Sequence, residues 1–418
     1  MIVLSEDGGC WTAPDASLNG VPRFRFLATG DLCPARGHRL DERFSAGRDA
    51  AAAVYGDVLT ALVEKDVSAT NLELTLGEHG SAMRKDGPIL QGPSTAVEGI
   101  LVGGFDVATM ANNHVLDKGP EALLETIDLL RGRGVTVVGA GANLREASQL
   151  VVIDRAGVRV GILAFAENEF NVATANTAGS AAIAPGANVN LVRASRDACD
   201  LLIVFVHGGN EYCPLPSPRM VREYRALAEA GADAVLGHHP HVVQGIELHR
   251  GVPIFYSLGN FLFWVNHKDV PHPWWTGLIV RLHLAARRCV QIDVEAVSLD
   301  PQTATASLLR GDRRRRFLER LNRLSRIIAD SDLHQQMWSC FCLERFPYVL
   351  DVLKGACEQI NDRGQRRLAA TRLENLFACE ANHEVAATGL DLIRRGFEGF
   401  DPTVRDELYA LMYPPAVW

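Results

Sequence analysis

The chain has 418 residues, 47% of them hydrophobic and 22% charged, with a formal net charge of −8. This is the composition of a soluble globular protein, and its acidic balance excludes a nucleic-acid binder working through its overall field. No stretch approaches ~18 uninterrupted apolar residues, so no membrane span is expected.

Residues 1–23 read as an N-terminal extension without the basic region and long apolar run of a secretory signal. From residue 24 to 300, short apolar runs alternate with helical patterns. The expected strands are "FRFLATG", "DVSATN", "FDVATMA", "VTVVGA", "RVGILAF", "LLIVFVH", "ADAVLG" and "PIFYSLG". Several are continuously apolar, as strands covered on both faces are. "GPEALLETIDLLRGRG" and "SPRMVREYRALAEAGA" read as helices, the first opened by Pro120 and closed by Gly132 and Gly134. "TGLIVRLHL" and "CVQIDVEAVSL" alternate more cleanly and predict a hairpin. After residue 301 the pattern becomes helical, with Phe317, Leu321, Leu324 and Ile328 at helical spacing. Residues 301–418 are therefore expected to form a helical C-terminal module, and the run Arg313–Arg316 a solvated helix face.

The residues at the carboxyl end of each strand carry the functional signal. Asp31 ends the first and Asn71 and Glu73 the second; Asn113 and His114 come after "TMA". His207 ends "LLIVFVH", with Glu211 just beyond, and His238, His239 and His241 come after "ADAVLG". Asn260 comes after "YSLG". In α/β sheets, ligands collect outside the carboxyl ends of the strands. If "HPH" runs extended, His239 and His241 share a face. Carboxylate, amide and imidazole donors without thiolates suit Mn, Mg, Fe or Zn, and the donors suffice for two divalent ions. Paired ions about 3.5–4 Å apart clamp a displacement at phosphorus and generate hydroxide at neutral pH.

In this order, "ANNHVLDKG", "HGGNEY", "GHHPHVVQG" and "YSLGNFLF" closely resemble the CapA-like family of poly-γ-glutamate and capsule synthesis proteins, whose fold is similar to that of calcineurin-like metallophosphoesterases. The resemblance covers roughly residues 24–300. It implies a four-layer α/β/β/α sandwich with a metal site at one end. Carried across motif by motif, it makes Asp31, Glu73, Asn113, His207, His239 and His241 metal ligands, with Glu73 bridging and Asn71 a less favoured substitute. It makes His114 the general acid or transition-state donor. His238 is the variable residue of its block and is not expected to ligate. Asp117, three residues past His114, is placed to orient that imidazole. Gln244, Tyr256 and Asn260 are expected to shape the site. Arg84, Lys85, Glu211 and Asn260 are candidates to meet a substrate.

Two departures stand out. The first block reads Asp31-Leu32-Cys33, so the imidazole of an Asp-x-His is missing, and Cys33 is expected to be a small buried residue rather than a ligand. Gly208 stands where the family usually has Trp, which is expected to open the pocket. The nine cysteines are dispersed and form no C-x-x-C, as in a reduced cytoplasmic chain. The expected function is metal-dependent hydrolysis of a small anionic, phosphoester-type substrate. The alternatives are amide chemistry on a γ-glutamyl substrate and a non-enzymatic accessory role beside a synthase. The sequence carries no P-loop motif for an autonomous ATP-driven ligase.

Overall fold

The computed structural model describes residues 4–5, 9–13, 23–266, 270–397 and 399–414; most of the expected N-terminal extension therefore lies outside the described residues. Two sheets stack face to face. In the first, the order is Cys10–Thr12, Arg288–Leu299, Thr276–Ala285, Phe24–Cys33, Val67–Leu72, Val107–Thr109 and Thr136–Val138. Its central strands are parallel, and the expected hairpin Thr276–Ala285 with Arg288–Leu299 is antiparallel. The second sheet runs Ile246–His249, Val252–Phe255, Ala234–His238, Leu201–His207, Val158–Ala166 and Val151–Arg155.

Three apolar layers hold this arrangement. Phe26, Ala28, Val67, Ile162, Ile203, Phe205, Leu236 and Leu278 form one core, contributed by both sheets. Phe44, Tyr55, Ile100, Leu123 and Ile127 cover one outer face, and helices supply them all. On the other face Val204, Tyr224 and Leu227 share a core with Leu324, Ile328, Trp338, Phe341 and Leu408. The result is the expected α/β/β/α sandwich, with strands buried on both sides. The first sheet runs past residue 301, because Ala306–Leu308 pairs with Arg288–Leu299; the C-terminal helices begin at Gly311. Those helices use their apolar faces as the second sheet's cover. Within Arg313–Arg316, Arg314 reaches Glu295 and Arg315 pairs with Asp312 and Glu319.

A largely buried ion cluster ties the C-terminal helices to the sandwich. Arg219 meets Glu167 at 2.8 Å, Glu223 at 3.1 Å and Glu384 at 3.3 Å. Burial pushes Glu167 up to about 7, with Arg219 pulling the other way. Arg219→Ala strands these carboxylates, so the variant should lose about 3–5 kcal/mol in urea denaturation. Glu167 lies above its ordinary value in the fold, so its contribution is present at low pH and lost as pH rises through about 7. The variant's deficit should therefore be largest above neutrality and shrink on acidification. A deficit independent of pH would contradict this account of the cluster.

Candidate metal centre

The strand ends of both sheets meet at one rim. Asp31 lies in Phe24–Cys33, Glu73 comes just after Val67–Leu72, and Asn113 after Val107–Thr109. The second sheet brings His207 at the end of one strand and His238 at the end of its parallel neighbour, paired in register. Gly30 lets the rim close. A side chain there would run into the Gly259 carbonyl, and the bare backbone lets Asp31 N donate to that oxygen at 3.0 Å. Asn260 opens its own strand, Asn260–Phe263, and pairs beside Asp31 instead of ending the preceding strand.

The expected extended course of "HPH" is not what forms. The strand stops at His238, and both His239 (φ 95°) and His241 (φ 58°) adopt positive φ. Pro240 between them has no N–H to continue a ladder. The two imidazoles still converge, 6.1 Å apart, but through a left-handed turn. Non-glycine backbone in this region is strained and clusters at functional sites.

Two triads of donor atoms result: Glu73, His207 and His239 form one, and Asp31, Glu73 and His241 the other. Glu73 belongs to both. Its Oε1 lies 3.6 Å from His207 Nε2 and 3.5 Å from His241 Nε2. His207 Nε2 is 3.1 Å from His239 Nδ1 and 3.0 Å from Asn113 Oδ1, so both groups converge on the imidazole that also faces Glu73. Both carboxylate oxygens of Glu73 are buried without a hydrogen-bond partner. Burial, then the charges of Asp31 and Glu211, push the Glu73 carboxyl well above its usual range. Burial drives His207 well below its ordinary value and His239 and His241 down to about 4, which keeps the imidazoles neutral. Burial resists ionisation of Asp31, but His238 and the Asn71 amide beside it outweigh burial and hold the carboxyl low. An orphaned buried carboxylate among neutral imidazoles fits a divalent cation, which would satisfy all of them at once.

The surrounding residues hold these donors in place. Asn71 donates to Asp31 Oδ1 (2.8 Å), and His238 Nδ1 lies 2.8 Å from the same oxygen. Asn71 and His238 thus orient Asp31 and belong to neither triad. His241 Nδ1 is 2.9 Å from Asn260 Oδ1, and Asn260 in turn donates to Trp274 O. Gln244 donates to Cys213 O and Tyr256 to Glu247, both behind the site. Cys33 packs into the first sheet's outer core, and burial pushes its thiol well above the ordinary value. Thiolate ligation at Cys33 is correspondingly disfavoured.

His114 Nδ1 lies 2.7 Å from Asp117 Oδ2. Lys85 sits here too: its Nζ donates to Asp117 Oδ1 at 2.6 Å and to Asn113 O at 3.2 Å, and lies 3.3 Å from His114 Nδ1. Its side chain is only 3% exposed, so Lys85 braces His114, while Arg84 beside it is exposed. Burial and then the Lys85 charge lower His114, and Asp117 opposes them.

Gly208 does not open the pocket. A side chain at 208 would meet Glu167 Oε2 at 2.5 Å, and that carboxylate accepts from Gly209 N at 3.0 Å. Glu167 fills the space instead. Glu169 is a further residue that sequence reasoning missed; it accepts from Asn113 Nδ2 at 2.9 Å. Beyond His239 opens a cleft of about 390 Å³ lined by Glu169, Asn210, Glu211, Arg345, Arg372 and Asn375, among others. Its far wall is therefore C-terminal helix. Burial and Glu169 push Glu211 up to about 7.

The model of the family described as bacterial capsule synthesis protein PGA_cap matches residues 25–264. The chain belongs to that family. The match spans every candidate metal-site donor from Asp31 to His241 and ends before the C-terminal helices. Among similar curated proteins, the capsule biosynthesis protein CapA of Bacillus anthracis is 32% identical over 231 residues, 52% of this chain and 54% of that protein. The PGA biosynthesis protein CapA of Bacillus subtilis is 31% identical over 205 residues, 48% and 52% of the two chains. A probable polyglutamine synthesis accessory protein of Mycobacterium tuberculosis is 32% identical, covering 49% and 58%. The chain thus spans about half the length of these curated relatives. Similar solved structures include a 5′-nucleotidase precursor from Thermus thermophilus, at 14% identity and TM-score 0.38, covering 75% of this chain and 60% of that one.

Proposed function

We propose that this PGA_cap protein is a metal-dependent hydrolase that binds two divalent ions and acts on an anionic substrate. The observation that carries the reading is Glu73: buried, unpartnered, and common to both donor triads. Asp31, Glu73 and His241 would hold one ion; Glu73, Asn113, His207 and His239 the other. Bound there, the pair would supply Lewis-acid charge and lower the pKa of water. The chain's own residues do the rest. Asn71 and His238 fix Asp31, and Asn260 fixes His241. His114 has Nδ1 engaged with Asp117, which Lys85 anchors in turn, and this leaves Nε2 for the substrate. It can deliver or collect a proton there while Asp117 steadies the imidazolium. Burial of Asp31, Glu73, His207 and His241 strengthens each of these interactions.

A second reading, amide chemistry on a γ-glutamyl substrate, is favoured by one observation: the Bacillus subtilis relative is named for PGA biosynthesis. All nine cysteines are free, in keeping with a reducing, cytoplasmic setting, and no helix among the described residues is long and apolar enough to cross a membrane. A panel of phosphomonoesters, phosphodiesters and γ-glutamyl amides, assayed with Mn, Zn or Fe and with chelator, tests the proposal. Chelator-sensitive turnover of an ester or amide is expected. Metal-loaded protein inert on the whole panel would instead favour the accessory role that the mycobacterial relative's name describes.

A further inference from the structure

The turn that carries His239 and His241 is strained, with φ of 95° and 58°. Such backbone persists only where the surrounding structure over-determines it. Part of the hold comes from the sandwich itself. Tyr212 N donates to Pro240 O at 2.9 Å, and Gln244 N to Ser257 O at 3.2 Å. A further hold comes from the helix Gly311–Ala329, beyond the family-matched segment that ends at residue 264. Ile246 N donates to Ser325 Oγ at 2.9 Å, and that buried hydroxyl donates onward to Leu321 O at 2.9 Å. Its donor and acceptor roles are both used, so its direction is fixed. Gly245 lies flush on the same helical turn: a side chain there would come within 2.8 Å of Ser325 N. Arg320 Nη2 donates to Leu411 O at 2.9 Å, and its Nη1 reaches Val243 O at 3.5 Å. Val243 bridges in turn to Leu258, next to the Gly259 carbonyl that receives Asp31 N.

Each donor triad contains one imidazole from this turn, His239 in one and His241 in the other. A clamp on the backbone just after the turn therefore acts on both triads at once. We propose that the helix Gly311–Ala329 is the positioning element of the metal centre. Ser325, Arg320 and the bare backbone of Gly245 hold the His239–His241 turn in its left-handed course. The inference rests on the metal reading for what the imidazoles bind, and on hydrogen bonds alone for the clamp.

Two readouts on the full chain test it, neither of them turnover. In competition with a chelator, Ser325→Ala and Arg320→Met should each bind Mn about tenfold more weakly, the lower end of what losing an outer partner of a ligand costs. In the metal-free chain, amide hydrogen exchange over residues 237–243 should quicken in both. Asn322→Ala is the control. Asn322 lies on the same helix but pairs with Leu4 N and O, away from the turn. That variant should melt lower yet keep native Mn affinity and native exchange over 237–243. Native affinity or unchanged exchange in Ser325→Ala would overturn the clamp, as would an equal affinity loss in Asn322→Ala. The same native behaviour in Arg320→Met would remove Arg320 from it. If the native chain takes up no Mn while exchange follows this pattern, the metal reading falls and the clamp stands.

Discussion

His114→Ala should retain its metal and lose turnover by about 10²–10⁴, the range for a positioned proton donor or acceptor. The imidazole belongs to neither donor triad, so removing it subtracts no ligand. It does subtract the Nε2 that Asp117, itself anchored by Lys85, holds in place from the other side. Elemental analysis and steady-state kinetics on any substrate the native chain turns over check both halves. Metal lost together with activity would make His114 a ligand and remove its role as the proton carrier.

His239→Ala should fail in the opposite way. Its Nδ1 lies 3.1 Å from His207 Nε2, in the triad completed by Glu73. Losing an outer partner of a metal ligand typically lowers affinity by about 10–100-fold, and losing a direct donor should exceed that. Activity should collapse at low metal and recover when Mn is raised, whereas His114→Ala should not recover. Position 239 already sits at φ 95°, where Ala is no better tolerated than His, so a thermal melt of the variant separates backbone strain from metal loss. A variant that keeps full occupancy at low Mn would take His239 out of the site.

Much of this was legible in the sequence because strands dictate it. A parallel strand buried on both faces reads as an apolar run, and its carboxyl end is where a polar residue becomes available to a ligand. Asp31, Glu73, Asn113, His207 and the 238–241 block could therefore be gathered before any contact was known. The turn at His239 and His241 was less accessible. Pro240 signals the break in the strand, but the left-handed conformations depend on how the turn packs beneath His207 and Asn260. The Glu167–Arg219–Glu384 cluster joins three distant segments, so no local pattern announces it. The same holds for Glu167 filling the space beside Gly208. Helical spacing marked Leu324 and Ile328 as a buried face, yet periodicity names no partner for that face. That the C-terminal helices wall the cleft is thus a tertiary fact. Lys85 illustrates the point at one residue: its neighbours in sequence suggest a solvated loop, and its contacts are Asp117, His114 and the Asn113 carbonyl.

The central claim is that Glu73 is shared by two ions, and metal stoichiometry tests it most directly. Elemental analysis of the native chain after loading with Mn or Zn should give two ions per chain, and Glu73→Ala should empty both positions together. Glu73→Ala should also leave the metal-free fold intact or firmer, since it removes a buried carboxyl that finds no partner there. A native chain that takes up no ion, or a Glu73→Ala variant that still binds two, would contradict the account.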